Sequence, residues 1–245
     1  MNTATSASAA PPDNRILHAL PVDERDHLAG LLHYFALPTR TVLFEPDQVI
    51  RFVHFPVDGV ISLVTPLADG GIVEVATIGN EGVVGVPFVL GGSLAVRAIS
   101  QLGGHGLRMD ATAFVAQLQH LPVFRELVRR YIQALFGQIS QAAACNRLHS
   151  NEERLSRWLL MSRDRVASDT FPITHEFLGQ MLGSRRATVT LSAGLLQAAG
   201  LIRYQRGHMT IVDAAGLEGV SCECYRVIKA ALDRVFESPV ATALT

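Results

Sequence analysis

Arginine and hydroxyl side chains are concentrated in one stretch in the C-terminal third of this 245-residue chain. Between positions 171 and 211 the sequence has four arginines and a single acidic residue, although the whole chain carries a net charge of only −1. Arginine forms bidentate hydrogen bonds with guanine, and serine and threonine hydroxyls bind phosphate oxygens. The local excess of positive charge therefore indicates a surface that contacts nucleic acid.

The same stretch has the pattern of two short helices separated by one glycine. Thr174 is a suitable cap for a helix over 175–182, and Gly183 suits the left-handed position that ends a helix. Ser184 is predicted to cap a second helix, which runs from Arg185 to about Ala199. Two helices joined by so short a turn cross steeply, as in a helix-turn-helix motif.

A β-hairpin is predicted directly after Gly200, with its turn at Arg206-Gly207. A hairpin in this position is the wing of a winged helix-turn-helix, and the first turn of the second helix would then enter the major groove. The alternative is an ordinary helical hairpin with solvated arginines, which explains the glycine turn and the wing less well. The predicted DNA-contacting residues are Thr174, Ser184, Arg185, Arg186, Thr188, Thr190, Arg203, Arg206 and His208.

The preceding part of the chain changes from a β-rich to a helical pattern. After a short helical entry over 15–35, residues 41–109 contain β-rich runs broken by Gly, Pro, Asp and Asn about every ten residues. This spacing is typical of a sandwich or barrel. Asp69-Gly70-Gly71 is a predicted hairpin turn.

A long helix with a broad apolar face is predicted from Leu121-Pro122 onward. Such a face needs a cover, which the barrel, the next domain or a twin helix can supply. Ser150 and Glu153 form a capping box for a further helix over 151–165, so a domain boundary is expected near 148–150. The apolar positions are Phe124, Leu127, Val128, Tyr131, Ile132, Leu135, Phe136 and Ile139.

The stretches ITHEFLGQMLGSRRATV and AAGLIRYQRGHMTIVD, with IGNEGVVGVP earlier in the chain, resemble the Crp/Fnr family of bacterial transcription regulators. The resemblance spans about 15–213. It implies an α+β fold: an N-terminal β-roll of double-stranded β-helix or jelly-roll type, a long dimerisation helix that pairs through the eight positions above, and a C-terminal winged helix-turn-helix. The expected domains are a disordered tail (1–14), a cyclic-nucleotide-binding-like effector roll (15–120), the dimerisation helix (121–149), the DNA-binding domain (150–213) and a C-terminal helical extension (214–245).

The effector pocket departs from that of the family's cyclic-AMP sensors, in which a Gly-Glu pair holds the ribose and an Arg-Ser/Thr-Ala run holds the phosphate. Here Gly85 is followed by Val86, which accepts no hydrogen bond from a ribose hydroxyl, and Arg97 is followed directly by Ala98. An unpartnered buried ribose costs ~1–3 kcal/mol. Gly85, Val86 and Arg97 are the pocket candidates, and no tight binding of cyclic AMP is expected.

The predicted recognition helix also departs from the family pattern. Arg186 matches the family's base-reading arginine. Ala187 and Leu191, however, stand where many members have a base-reading Glu and Arg. A different operator is therefore expected, with Ala187 in contact with a thymine methyl group.

The three cysteines do not predict a metal site. None precedes Cys145, which excludes the family's iron–sulfur cluster at its expected place. The two thiols of Cys222 and Cys224 make an incomplete site. We interpret them as small, semi-buried residues on a C-terminal helix, and we predict no metal and no cofactor.

Together with the resemblance, these patterns predict a cytoplasmic, homodimeric, sequence-specific DNA-binding transcription regulator that is not an enzyme. No secretory signal and no run of ~18 apolar residues is found. His54 and His105 stand alone rather than in a cupin-type metal set, and nucleophile and nucleotide motifs are lacking. The expected partners are double-stranded DNA, a second copy and RNA polymerase, with a small-molecule effector left open and no membrane. The alternative is a sensory or protein-interaction module on the same fold that does not bind DNA.

Overall fold

The computed structural model of the chain describes residues 14–68, 70–85, 91, 95–166 and 168–237. It begins with helices α1 (Arg15–His18) and α2 (Val22–Ala29). Asn14 accepts hydrogen bonds from the first amides of α1 and donates to the carbonyls of Pro56 and Gly82, both at 2.9 Å. The expectation that the disordered tail extends to Asn14 is therefore wrong, because this side chain is buried and fully bonded.

The strands that follow form two antiparallel sheets whose side chains share one hydrophobic core. The sheet orders are β1-β7-β3 and β2-β6-β4-β5. The predicted β-rich region and the α+β fold class are confirmed. The strands are β1 (His33–Leu37), β2 (Val42–Phe44), β3 (Phe52–Pro56), β4 (Val60–Pro66), β5 (Ile72–Ile78), β6 (Arg97–Leu102) and β7 (Gly104–Asp110).

The predicted roll differs from the structure where it begins and agrees with it at the turn between β4 and β5. The helical entry expected over 15–35 ends earlier, because the chain enters β1 at His33, where Phe35 and Leu37 alternate inward. The hairpin turn between β4 and β5 is present, with Gly70 at a φ of 84° that suits glycine. Asp69 itself lies outside the described residues.

Helix α3 (Ala111–His120) leads directly into the long helix α4 (Pro122–Leu148), and α5 (Asn151–Val166) follows. Pro122 lies in the first turn of α4, where a missing amide proton costs nothing. The predicted capping box is confirmed: the Ser150 amide donates to Glu153 Oε2 at 2.7 Å, and the Glu153 amide donates to Ser150 Oγ at 3.3 Å.

The C-terminal third of the described chain contains a small helical unit with a three-stranded sheet. After β8 (Thr170–Pro172) come α6 (His175–Leu182), α7 (Arg186–Ala198), β9 (Ile202–Gln205) and β10 (His208–Ile211). The strands pair in the order β8-β10-β9. The extension then forms α8 (Ala214–Val220) and α9 (Cys224–Asp233). No helix among the described residues is both long enough and apolar enough to cross a bilayer.

The extension packs on both the long helix and the helical unit. Helix α9 lies along α4 and α5. The Tyr225 hydroxyl donates to Asp164 Oδ2 of α5 at 2.8 Å, and Arg15 forms an ion pair with Asp233 at 3.1 Å. The extension therefore joins the N-terminal helix, the long helix and the unit that carries α6 and α7.

Helix α4 has three faces, and this corrects the predicted dimer interface. One face packs on the roll, where Tyr131 lies directly on Gly82. A second face packs against α9, and the third is exposed. Phe136 is 71% exposed on that third face, and Ile132 and Ile139 are partly exposed beside it. Five of the eight residues predicted to pair with a twin helix are instead buried within the chain itself: Phe124, Leu127, Val128, Tyr131 and Leu135.

Candidate nucleic-acid interface

The turn between α6 and α7 is built as the local sequence predicts. The Phe177 amide donates to Thr174 Oγ1 at 3.2 Å, which caps α6. Gly183 ends α6 in the left-handed conformation at a φ of 58°. Gly179 is also required, since a Cβ there would lie 2.8 Å from the carbonyl oxygen of Ser184. Gly179 and Gly183 therefore allow α7 to follow α6 with only residues 183–185 between the two helices.

The predicted role of Ser184 as the cap of the second helix is wrong. Helix α7 begins at Arg186, and Arg185 occupies the cap position without a side-chain hydrogen bond. The Ser184 hydroxyl instead donates to Asn151 Oδ1 of α5 at 2.6 Å. The first amides of α7 are thus left free of a side-chain acceptor. Amides in this position bind anionic groups such as phosphate.

Helix α7 has a buried and an outward face. Val189, Ala193 and Leu196 are buried against α5 and α6, as predicted. Arg185, Arg186 and Ala187 are exposed in the first turn, and Leu191 is 71% exposed one turn further along the same face. The outward face therefore presents two guanidinium groups beside an apolar strip.

The two threonines of α7 that were predicted to contact DNA are less free to do so than its arginines. Thr188 is half-buried. The Thr190 hydroxyl donates to the Arg186 carbonyl at 3.0 Å and lies 3.0 Å from His175 Nδ1. Burial, followed by the positive charge of Arg186, lowers the pKa of His175. The Thr190 hydroxyl is therefore already engaged by His175 and by the Arg186 carbonyl within the protein.

The wing is present where the sequence predicts it. Strands β9 and β10 pair around Arg206 and Gly207, whose φ values of 50° and 80° form a tight hairpin turn. Arg203, Arg206 and His208 are exposed. In the described part of the chain, none of Arg185, Arg186, Arg203 and Arg206 forms an ion pair with a carboxylate.

Two contacts that the sequence did not predict fix the wing to the helices. The Tyr204 amide donates to Gln197 Oε1 of α7 at 2.8 Å. The Tyr204 ring stacks on His175 of α6, with centroids 4.1 Å apart. No local pattern in the sequence signals these contacts. They hold the arginines of the wing and of α7 on one rigid surface.

Two of the effector-pocket candidates, Gly85 and Arg97, lie in the described part of the roll. Gly85 has a φ of 116°, and a Cβ there would lie 3.2 Å from the Val53 side chain. Val86 lies outside the described residues. Arg97 Nε is bound by Glu45 Oε2 at 2.7 Å. A phosphate group held by Arg97 would therefore have to displace the Glu45 carboxylate.

Comparison with known proteins gives two kinds of match. The family model described as the Crp-like helix-turn-helix domain matches residues 153–220. The solved structure of FixK2 from Bradyrhizobium japonicum is 14% identical, with a TM-score of 0.67 over 78% of this chain and 98% of that chain. A putative Crp/Fnr-family transcriptional regulator from Eubacterium rectale is 14% identical, with a TM-score of 0.64 over 85% and 98%. A CRP-family regulator from Thermus thermophilus is 18% identical, with a TM-score of 0.62 over 77% and 96%.

The comparison with curated protein sequences finds no match. At the identities above, the solved structures show that the fold is shared, and the family model adds the helix-turn-helix domain that carries the exposed arginines. Residues 153–220 therefore form a Crp-like helix-turn-helix domain, and the chain shares its overall fold with solved regulators of the Crp/Fnr family.

Proposed function

We propose that the protein is a homodimer that binds a specific DNA operator by inserting α7 into the major groove. The observation that carries this proposal is the exposed first turn of α7, where Arg185 and Arg186 project without a carboxylate partner among the described residues. Arg203, Arg206 and His208 lie on the adjacent wing. They are positioned to contact the phosphates that flank the groove.

Base reading is assigned to the outward face of α7. Arg186 supplies a bidentate donor for guanine, and Ala187 and Leu191 supply an apolar surface for thymine methyl groups. Ser184, Thr174 and Thr190 already serve as hydrogen-bond partners within the protein. Phosphate contacts by these three side chains are therefore secondary to those of the arginines.

A second copy of the chain is proposed to cover the exposed face of α4. Ile132, Phe136, Ile139 and Ala143 follow one another at intervals of four, three and four residues. This is the spacing of the apolar seam in a coiled coil. Two copies joined along this seam form a symmetric dimer, which binds two half-sites about one helical turn apart.

The sensory input is proposed to be something other than cyclic AMP. Arg97, the candidate phosphate ligand that the sequence identified in the roll, is already paired with Glu45. Saturating cyclic AMP should therefore leave the melting temperature unchanged, because any ligand of the native state raises it. A clear rise would refute this part of the proposal. Contact with RNA polymerase stays an expectation from the family resemblance.

Selection from a random duplex library tests the proposed function as a whole. The protein should enrich a two-fold symmetric sequence, and its affinity for that duplex should fall steeply with salt because phosphate contacts release counterions. Failure to enrich any sequence at low and moderate salt would favour the alternative, a sensory or protein-interaction module that has lost DNA binding.

A further inference from the structure

Three cysteines and a histidine that are far apart in the sequence meet at one point beside the long helix. Cys145 lies in the last turn of α4, and His149 is the residue that ends this helix. Cys222 lies between α8 and α9, and Cys224 is the first residue of α9. Their four donor atoms all lie within 4.8 Å of one another. The three thiols are free and buried.

The spacing of these donors matches a tetrahedral metal site. The sulfurs of Cys145 and Cys222 are 3.6 Å apart, and Cys224 Sγ is 3.5 Å from His149 Nδ1. With zinc–sulfur and zinc–nitrogen bonds of about 2.3 and 2.0 Å, tetrahedral ligands lie about 3.8 Å apart for two sulfurs and about 3.5 Å apart for sulfur and nitrogen. A disulfide needs about 2.05 Å. The observed distances therefore suit one shared ion.

The surrounding groups orient the four side chains as an outer shell does at metal sites. His149 Nε2, the nitrogen that faces away from the sulfurs, lies 3.3 Å from Glu223 Oε2. A metal-bound histidine usually donates its other N–H to a carboxylate in this way. Gln141 Nε2 donates to Cys224 Sγ at 3.1 Å. Arg154 and Arg157 place positive charge close to Cys145, which offsets the charge of thiolate ligands.

We propose that Cys145, His149, Cys222 and Cys224 bind one zinc-class divalent ion in a tetrahedral Cys3His site. The donors surround a single point too closely to enclose an iron–sulfur cluster, so a mononuclear ion is the ligand. Binding forms four metal–ligand bonds and releases the three thiol protons to solvent, and no redox partner is needed. This proposal replaces the sequence-based expectation that the chain has no metal site.

The position of the site gives the ion a structural role. It joins α9 of the extension to the end of α4, one residue before the capping box that begins α5. This junction connects the proposed dimer helix to the DNA-binding domain. The ion would therefore fix the angle at which the domain leaves α4, and it would lock the extension in place.

Metal analysis of the intact full-length chain tests the proposal without relying on any variant. The protein purified after zinc supplementation should contain one zinc per chain. Replacement by Co²⁺ should give the intense visible absorption of a tetrahedral thiolate site. A zinc content near zero together with no such cobalt spectrum would overturn the proposal. A Cys145–Cys222 disulfide that forms again after the protein is reduced and the reductant is removed would also overturn it.

Two histidine variants supply a matched comparison. His149→Gln should weaken Co²⁺ binding at least tenfold, while His120→Gln, at an exposed position on α3, should bind as the wild type does. Glu223→Gln should weaken binding less than His149→Gln, because it changes only the outer partner. Equal binding by the wild type and the His149 variant would count against the assigned ligand set, and circular dichroism would show that both variants are folded.

Discussion

Arg165 of α5 and Glu81 of the roll form a buried ion pair, with Arg165 Nη2 2.7 Å from Glu81 Oε1. The same guanidinium donates to the carbonyls of Met161 at 2.8 Å and Thr77 at 3.3 Å. Gly79 leaves the space for it, since a Cβ there would lie 2.5 Å from Arg165 Cγ. Because Arg165 lies in the segment that matches the Crp-like helix-turn-helix domain, this pair fastens that domain to the roll.

Removal of one partner of the Arg165–Glu81 pair should strongly lower the unfolding free energy. Arg165→Ala leaves the Glu81 carboxylate buried without its cation, and breaking a buried pair costs about 3–5 kcal/mol of unfolding free energy. The matched control is Arg163→Ala, on the same helix as Arg165. It removes an exposed ion pair with Asp169 and should cost about 0–1 kcal/mol of unfolding free energy. Urea unfolding of both variants checks this. Similar losses in the two would contradict the assigned role of the buried pair.

The exposed seam of α4 predicts the oligomeric state. Phe136→Glu places a charge at the centre of the proposed dimer contact, so the protein should become a monomer in sedimentation experiments at micromolar concentration. Val22→Glu changes another exposed apolar position, on α2, and should leave the dimer intact. A Phe136 variant that remains dimeric would show that the second copy binds elsewhere.

Leu191 predicts sensitivity to a single methyl group of the operator. Replacement of the contacted thymines by uracil removes only C5 methyl groups, each worth ~0.8 kcal/mol when buried, or about a fourfold loss of affinity. Leu191→Ala should lose less affinity than the wild type on uracil substitution, because only Ala187 is left to contact the methyl groups. Fluorescence anisotropy measures the four combinations. The same loss on uracil substitution in both proteins would argue against Leu191 as the contact.

His54 predicts a pH dependence of stability. Burial, followed by the positive charge of Arg108, lowers the pKa of His54 from 6.5 to about 4. The unfolded chain therefore binds a proton that the folded chain does not, and unfolding free energy is lost as the pH falls from 6.5 towards 4. Between pH 7 and pH 5 this contribution is about 2 kcal/mol.

The contribution of His54 is measured by comparing the wild type with His54→Leu, because Glu74 changes the unfolding free energy in the opposite direction over the same pH range. Burial raises the pKa of Glu74 to about 7, which favours the folded state as the pH falls through the same range. The difference between the wild type and His54→Leu isolates the histidine. Urea unfolding at pH 7 and pH 5 should show the variant losing less stability on acidification, and parallel losses would contradict the prediction.

Local signals explain why the helix-turn-helix could be predicted from the sequence. The Thr174 cap, the left-handed Gly183 and the Arg206-Gly207 turn each depend on backbone conformations that are set within a few residues. Ser184 shows the limit of such signals. Its hydroxyl donates to Asn151, which is 33 residues earlier in the chain. A local capping pattern contains no information about so distant a hydrogen-bond partner.

Contacts between distant segments were not predictable in the same way. The period of the apolar residues in α4 shows that the helix has a wide apolar face, but not that the roll and α9 cover most of it. The Cys3His cluster combines Cys145 of α4 and His149, the cap of that helix, with two residues of the extension about 75 positions later. Each pair alone is an incomplete site, and only the packing of α9 on α4 brings the four together.

The most direct measurement of the central claim compares Arg186→Ala with Arg51→Ala, an exposed control on the roll. Anisotropy titrations of each variant against the selected operator and a scrambled duplex give the discrimination between the two DNAs. Arg186→Ala should lose about 1–3 kcal/mol of operator affinity, or about 5- to 150-fold, with a much smaller loss on scrambled DNA, and Arg51→Ala should match the wild type. Equal losses by Arg186→Ala on both duplexes, or none on either, would contradict base reading by α7.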